Sequence, residues 1–231
     1  MLIIISGASR GIGKAIALRL AQKKCKIAIL ARNEEELLQT QTEMQAIGAE
    51  VLALACDITQ EEAVKNAAQN IITTFGTPTI LINNAGVGKF RTMADFSVEE
   101  FDNMMNVNIK GSFLLTKYFL PAMQQAQQGH IIAIASDVSK RTFFSGSLYC
   151  ATKYAQDAMF SALRKEVRKD NIKVSVVYPG MVNTYFESNT FVNRPERLDA
   201  DDIAQAVEYI ISVPKNVVID EITIHPLQQE Y

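Results

Sequence analysis

The chain is short of cysteine, of charge imbalance and of long apolar runs, and each shortage removes a class of function. Its three cysteines, Cys25, Cys56 and Cys150, lie far apart and show no metal-ligand spacing. An odd, sparse set of this kind fits a reducing compartment rather than a disulfide framework. The formal net charge is -2, so the footprint of a nucleic-acid binder and a polybasic membrane surface are both missing. The opening apolar run, Leu2-Ile3-Ile4-Ile5, meets a glycine turn within a few residues, and no basic region precedes it. It makes a poor signal peptide and is far shorter than the roughly 20 apolar residues that cross a bilayer. With no address to read, the expected location is the cytoplasm. Repeats, low-complexity tracts and linkers are also missing. The 231 residues, 48% hydrophobic and 21% charged, are therefore read as one ordinary globular domain spanning 1–231.

What the chain does have is regular alternation. Apolar strand-like runs at Leu2–Ser6, Lys26–Leu30, Glu50–Ala55, Ile80–Ile82, Ile131–Ala135, Lys173–Tyr178 and Val217–Ile224 take turns with helix-like segments. The helices are expected over Gly11–Lys23, Glu34–Ile47, Glu61–Phe75, Phe101–Met123, Leu148–Lys169 and Asp201–Ser212. Strands apolar on both faces and joined by helices imply a parallel sheet covered on both sides. With right-handed crossovers the fold class is α/β, a single-domain doubly wound sheet of Rossmann type. The two longest helices carry more apolar positions than one sheet-facing stripe needs, among them Phe113, Leu114, Tyr118, Met159, Phe160 and Leu163. Periodicity leaves deep burial in a monomer and a helix-helix oligomer contact equally open.

Between the first strand and first helix stands Ser6-Gly7-Ala8-Ser9-Arg10-Gly11-Ile12-Gly13. Glycine there permits positive φ and lets a pyrophosphate approach the backbone. The helix N-terminus that follows offers unpaired N–H groups to phosphate. The spacing is Gly-x3-Gly-x-Gly, not the commonest dinucleotide fingerprint, and glycine turns also serve close helix packing. The end of the second strand bears on the choice of nicotinamide cofactor. An acid there would take the ribose hydroxyls of NAD. Here the chain reads Leu30-Ala31-Arg32-Asn33, with no carboxylate before Glu34. Arg10 and Arg32 suit a clamp on the 2′-phosphate of NADP(H), although solvated surface charge is the usual fate of an arginine.

Tyr149 and Lys153 stand four apart near the start of a helix and share one face. A phenol with a pKa of about 10 is a poor acid-base near neutrality. An ammonium roughly 4 Å away attracts the phenolate by about 4 kcal/mol at an effective dielectric near 20. The expectation is a tyrosine pKa lowered by up to about 3, before desolvation opposes it. Alone, a Tyr-x3-Lys pair is as easily a surface contact. Ser136, at the end of the fifth strand, offers a hydroxyl to a substrate carbonyl. Asn83-Asn84-Ala85-Gly86 ends the fourth strand, at the carboxyl edge where such sheets bind ligands. Asn108 sits inside a long helix, where asparagine is mediocre unless it has a polar task.

These motifs, in this order and over nearly the whole chain, resemble the short-chain dehydrogenase/reductase family. The family's Thr-Gly-x3-Gly-x-Gly appears with Ser6 in place of threonine, a change that keeps the hydroxyl. Its Asn-Asn-Ala-Gly is intact, and its catalytic tetrad falls on Asn108, Ser136, Tyr149 and Lys153. The resemblance implies NADP(H) held by Gly7, Ser9, Arg10, Gly11, Ile12, Gly13, Arg32, Asn84, Ala85 and Gly86, with Tyr149 and Lys153 at the ribose. It places Asp57 at the adenine, and Pro179, Gly180, Val182 and Thr184 around the nicotinamide carboxamide. No metal is implied. The implied reaction is reduction of a ketone, aldehyde or diketone. Tyr149 gives the proton, Ser136 bonds the developing oxyanion, Lys153 tunes the phenol, and Asn108 helps hold a proton-relaying water.

The resemblance puts substrate recognition on residues 181–198, where Tyr185, Phe186 and Phe191 either line an apolar cleft or pack as ordinary loop aromatics. Arg194 and Arg197 are the cations nearest to hand for a charged substrate. The C-terminal strand lacks the Val-x-Gly-Gly ending common in 3-oxoacyl-carrier-protein reductases, which leaves that activity as an alternative. A non-catalytic NADPH-binding redox sensor is a second alternative, but it would be expected to lose part of the tetrad. The partners expected are a small carbonyl substrate and further copies of the chain, as homodimer or homotetramer.

Overall fold

The computed structural model describes residues 1–186 and 191–229. Strands β1 (Leu2–Ser6), β2 (Lys26–Ala31), β3 (Glu50–Ala55), β4 (Ile80–Asn83), β5 (Gly129–Ile134), β6 (Ile172–Pro179) and β7 (Glu221–Ile224) form one parallel sheet. The order across it is β3-β2-β1-β4-β5-β6-β7. The direction of winding reverses between β1 and β4, and the carboxyl ends beside that reversal open a crevice.

Alternation along β1 explains the two-sided core. Leu2 and Ile4 point to one face, Ile3 and Ile5 to the other, and all four are buried. Each such side chain contributes roughly 1.5–3 kcal/mol on burial. The first face is covered by α3 (Glu61–Phe75), α5 (Ser112–Ala126) and α6 (Ser147–Glu166), through Val64, Ile71, Leu115, Phe119, Phe160 and Leu163. The second is covered by α1 (Gly11–Ala21), α2 (Glu34–Ile47) and α7 (Ala200–Ser212), through Ile16, Leu20, Leu37, Met44, Ile203 and Val207. Among the described residues no helix is long and apolar enough to cross a membrane.

Local chemistry sets the element ends. Asn33 accepts a hydrogen bond from the Glu36 N–H at 3.2 Å, three glutamates complement the N-terminal dipole of α2, and Gly48 closes it with φ 101°. Glu34, the first acid after β2, is thus in a helix turn. Helix α4 (Val98–Met105) starts three residues before the expected Phe101, because Ser97 and Glu100 form a reciprocal capping box. The single helix expected over Phe101–Met123 is not continuous. A π-helical turn at Asn106–Gly111 separates α4 from α5, which runs on to Ala126. The expected strand Val217–Ile224 shrinks to β7, since Val217 N–H closes a turn on the Pro214 carbonyl and pairing to β6 begins at Glu221.

Candidate active site

Every strand end that matters here lies on the same edge. After β1 the chain turns sharply through Gly7 at φ 66°. A Cβ on Gly7 would stand 2.8 Å from Ala85 Cα, and one on Gly13 would stand 2.2 Å from the Gly7 carbonyl oxygen. The turn is therefore packed against its own helix and the end of β4. Ser6 is the tie: its hydroxyl accepts from the Asn84 and Ala85 N–H groups at 3.1 Å each and donates to the Ile82 carbonyl at 3.3 Å. Asn84 donates its side-chain amide to the Ser6 and Gly7 carbonyls at 2.9 and 3.1 Å. Ser9, Gly11 and Ile12 continue the turn into α1, with Arg10 extended at its N-terminus and exposed. Arg32 is exposed just past β2, and Asp57 past β3 accepts from the Thr59 N–H and hydroxyl at 3.0 and 2.8 Å.

Tyr149 and Lys153 occupy the first turns of α6, both buried, with Lys153 Nζ 5.9 Å from the phenol ring centre. Lys153 donates to Gln156 Oε1 at 3.0 Å and to the Ile134 carbonyl at 3.3 Å. Ser136 lies two residues past β5, which ends at Ile134 rather than the expected Ala135; its hydroxyl stands near enough to Tyr149 to act on the phenol's acidity. The same hydroxyl is 3.1 Å from Asp137 Oδ1 and 3.4 Å from the Pro179 carbonyl. Asn108, in the π turn, donates to the Val87 carbonyl and the Thr152 hydroxyl and accepts from the Val87 N–H, all at 2.9 Å. All of its side-chain bonds thus run to protein groups, fixing the loop after β4 and helix α6. Gly86 lies between them: a Cβ there would be 3.4 Å from Asn108 Oδ1 and 3.7 Å from Lys153 Nζ.

The expected lowering of the phenol's pKa is reversed in the protein alone. Burial raises Tyr149 well above its ordinary value, the Ser136 hydrogen bond pulls the other way, and the Asp137 charge adds to the rise. Burial also lowers Lys153, to about 8. The ammonium lies over the ring rather than against the hydroxyl, so desolvation wins for both groups. Near neutrality the resting pair is a neutral phenol with a mostly charged lysine.

Aromatic rings wall the phenol. Phe90 and Phe186 meet the Tyr149 ring edge-on at 5.4 and 5.5 Å, and Phe143 backs Phe90 at 5.4 Å. Phe186 belongs to the expected 181–198 segment; residues 187–190 of it lie outside the described residues. Tyr185 and Phe191 pack on each other at 5.5 Å, and Arg10 stacks on Tyr185 at 5.4 Å. Thr184 lies close over Gly11, within 3.5 Å of a Cβ placed there, while Val182 bridges to Leu198. Beside Ser136, buried Asp137 is bound by Arg141, by the Gln229 amide at 2.7 Å and by His225 at 3.4 Å. Gln229 also accepts from the Met181 N–H at 2.8 Å and fills the space next to Gly180. Arg194 and Arg197 are held at the loop base: Arg194 N–H bonds Asn183 and Arg197 N–H bonds the Arg194 carbonyl. Cys56 and Cys150 are buried and Cys25 is half-buried; all are free thiols raised by burial. No cluster of acid, histidine and cysteine side chains among the described residues would hold a metal ion.

A family model described as "short chain dehydrogenase" matches residues 1–194. The chain belongs to the short-chain dehydrogenase family. It is 34% identical over 224 residues to an uncharacterized oxidoreductase of Staphylococcus aureus strain MRSA252, covering 97% of this chain and 96% of the relative. Its structure is similar to an alcohol dehydrogenase from the archaeon Thermococcus sibiricus complexed with 5-hydroxy-NADP. That match has a TM-score of 0.94 and 32% identity, over 100% of this chain and 98% of the other. A 3-ketoacyl-ACP reductase from Sinorhizobium meliloti 1021 matches with a TM-score of 0.89 and 28% identity, covering 97% of each chain. Membership of this oxidoreductase family gives a frame for the residues the motifs did not reveal. Gln156, Ser112 and Thr152 reach the tetrad from the buried stripe of α6 and from α5, and Asp137, Phe90 and Phe143 from irregular segments. A glutamine in line with Thr152, Lys153, Phe160 and Leu163 on one face of the helix was the one available signal for Gln156.

Proposed function

We propose that this short-chain dehydrogenase reduces the carbonyl of a small ketone, aldehyde or diketone to an alcohol with NADPH. The observation that carries the reading is Tyr149 and Lys153 buried one helical turn apart on one face of α6, with Lys153 beside Gly86 and the Ser136 hydroxyl acting on the phenol. The open glycine turn and the close approach of Gly86 fit a dinucleotide. The 2′-phosphate falls to Arg10 and Arg32, since no acid ends β2 and the glutamates that follow, Glu34 to Glu36, belong to the first turn of α2. Asp57 would meet the adenine, Lys153 and Tyr149 the ribose, and Pro179 to Thr184 the carboxamide. Bound there, NADPH supplies a hydride for the carbonyl carbon.

The chain's own residues do the rest. Tyr149, held neutral by burial, is in the form that gives a proton to the carbonyl oxygen. Ser136 donates a hydrogen bond to that oxygen as its charge grows, a term larger in the transition state than in the ground state. Lys153 keeps a positive charge close enough to favour the phenolate left behind. Asn108 fixes the Val87 loop that forms the floor. The rings of Phe90, Phe143 and Phe186 favour apolar groups flanking the carbonyl and exclude water. The working form is a homo-oligomer, supported by exposed Phe101, Phe113 and Tyr154 on α4, α5 and α6; a monomer by light scattering would overturn that part. The three free thiols support a reducing, cytoplasmic setting.

The test is NADPH oxidation across aldehydes, ketones, diketones and oxoacyl thioesters. Turnover of an apolar ketone with a preference over NADH is expected, and Arg32→Ala should erase that preference. Turnover confined to oxoacyl thioesters would move the assignment to an acyl-carrier-protein reductase. NADPH binding with no turnover on any carbonyl would sink the enzymatic reading.

A further inference from the structure

The buried face of α6 is polar where a helix facing the core is ordinarily apolar. Tyr149, Thr152, Lys153 and Gln156 come first along it, and only then Phe160 and Leu163. Three of these four polar groups are accounted for by the reaction or by Asn108. Gln156 is not, although it is fully buried and touches no solvent.

Both ends of its amide are used. Oε1 accepts from Lys153 Nζ at 3.0 Å, and Nε2 donates to Ser112 Oγ at 3.1 Å. Ser112 in turn donates to the Asn108 carbonyl at 2.9 Å, at the π turn. The chain has one polarity throughout: ammonium to amide oxygen, amide N–H to hydroxyl, hydroxyl to carbonyl. Ser112 can donate to only one group, so its bond to Asn108 leaves a lone pair for Gln156, and this fixes which way the amide faces. The amide oxygen, negative end of that dipole, is thereby held on the ammonium. With the Ile134 carbonyl it takes two of the three lysine N–H groups and leaves one for the crevice.

We propose that Gln156 is a positioning residue that holds the Lys153 ammonium charged and aimed at Tyr149, and that Ser112 and the π turn lock its amide for that task. The inference rests on the catalytic reading of Lys153 given above. Removing the dipole leaves a lysine in a pocket that already disfavours charge. Among the described residues the packed elements also carry Tyr149 and Cys150 on the same helix, Asp137 after β5, exposed Lys110 on the π turn, and Lys117 and Tyr118 on α5, both bound to Glu61; β5 adds His130, bound to Ser175, and β6 adds Lys173, bound to the Pro214 carbonyl, and Tyr178, whose hydroxyl is bound to Asp157. On α4 the acids are Glu99, Glu100 and Asp102, all away from the buried face. None replaces the amide oxygen at Nζ.

The experiment reads Lys153 directly, by NMR titration of ε-¹³C-lysine-labelled full-length protein, with the resonance assigned from Lys153→Met. In the wild type it should titrate near 8, the value to which burial lowers it. In Gln156→Met it should titrate about one unit lower, a tenfold loss of proton affinity, as expected for losing a charge-assisted hydrogen bond. Gln156→Glu, which keeps an acceptor and adds charge, should titrate above the wild type. In alcohol oxidation, which needs the phenolate, the rising limb of kcat should move to higher pH in Gln156→Met, with KM for the alcohol little changed. A Gln156→Met titration identical to wild type overturns the proposal. If that variant does not fold, Ser112→Ala decides: a shift in the same direction supports the lock, and an unshifted resonance overturns it. Absence of any carbonyl turnover in the wild type defeats the catalytic reading instead, and the titration still reports whether Gln156 holds the charge.

Discussion

Lys153 shows what the site costs the protein. Its pKa is lowered to about 8 by burial alone. The unfolded chain therefore holds that proton more firmly than the folded one. The resulting penalty on folding is fully present below pH 8, is relieved as pH rises from there, and is gone above the ordinary lysine value of 10.5. Its size is up to about 3 kcal/mol at 1.4 kcal/mol per pKa unit. Lys153→Met removes the penalty and orphans two acceptors, Gln156 Oε1 and the Ile134 carbonyl. We expect its melting temperature at pH 7 to equal or exceed the wild type's while turnover collapses; a fall of several degrees would show that the ammonium stabilises the fold. Tyr149→Phe keeps the packing between Phe90 and Phe186. It should still bind NADPH, more weakly for the lost ribose contact, and lose about 10²–10⁴ in kcat, the range for removing a general acid. The shared buried face of Tyr149 and Lys153 was legible in the sequence, because four residues make about one helical turn, and so was Ser136 at the end of its strand. Phe90, which meets the phenol, and Phe143 behind it were not, since both come from irregular segments that carry no period. The sign of the tyrosine shift was also missed: sequence separation gives a neighbour but not the depth of burial.

Among the elements, the π turn is the piece that one-dimensional periodicity hides. An extra residue in a helical turn shifts the apolar phase slightly, and a long helix with a lapse looks the same. Here the turn brings Asn108 inward to clamp Val87 from both sides. Asn108→Ala would leave the half-buried Val87 N–H and C=O without those partners, at the low end of about 1–3 kcal/mol each. A urea titration should show a loss of roughly 2 kcal/mol in unfolding free energy, beyond what helix propensity would predict. An unchanged midpoint would mean that the clamp is incidental. The start of α4 offers a calibration, because Ser97→Ala removes only the cap and should cost about 1 kcal/mol. The doubly wound architecture and most strand positions were readable, since β1, β2, β4 and β5 are buried on both faces and so are built mainly from apolar runs. The long helices were only half readable. Leu114, Phe160 and Leu163 enter the monomer's own core while Phe113 faces out, a division that depends on the neighbours and not on the period.

For the molecule as a whole, the sheet interior has ionisable groups apart from the site, the Tyr178 phenol on β6 and the His130 imidazole on β5, and His130 is the one that bears on acid stability. His130 on β5 is hydrogen-bonded to Ser175 on β6 at 2.7 Å, and burial lowers its pKa from 6.5 to about 4. Between those two values the unfolded chain takes up a proton that the folded one refuses, so stability falls as the solution is acidified. The contribution is up to about 3 kcal/mol, all of it in place above pH 6.5 and spent by pH 4. His130→Gln should flatten that part of the acid limb in denaturant titrations at several pH values; an equally steep limb would assign the loss to carboxylates instead. The thiols have a practical bearing on such measurements. Cys56 and Cys150 are closed to bulky reagents, while Cys25 is partly open just ahead of β2, on the rim of the sheet opposite the crevice. A maleimide dye should therefore couple at a single site, and its fluorescence anisotropy would follow tumbling and self-association without an appendage anywhere near the nicotinamide.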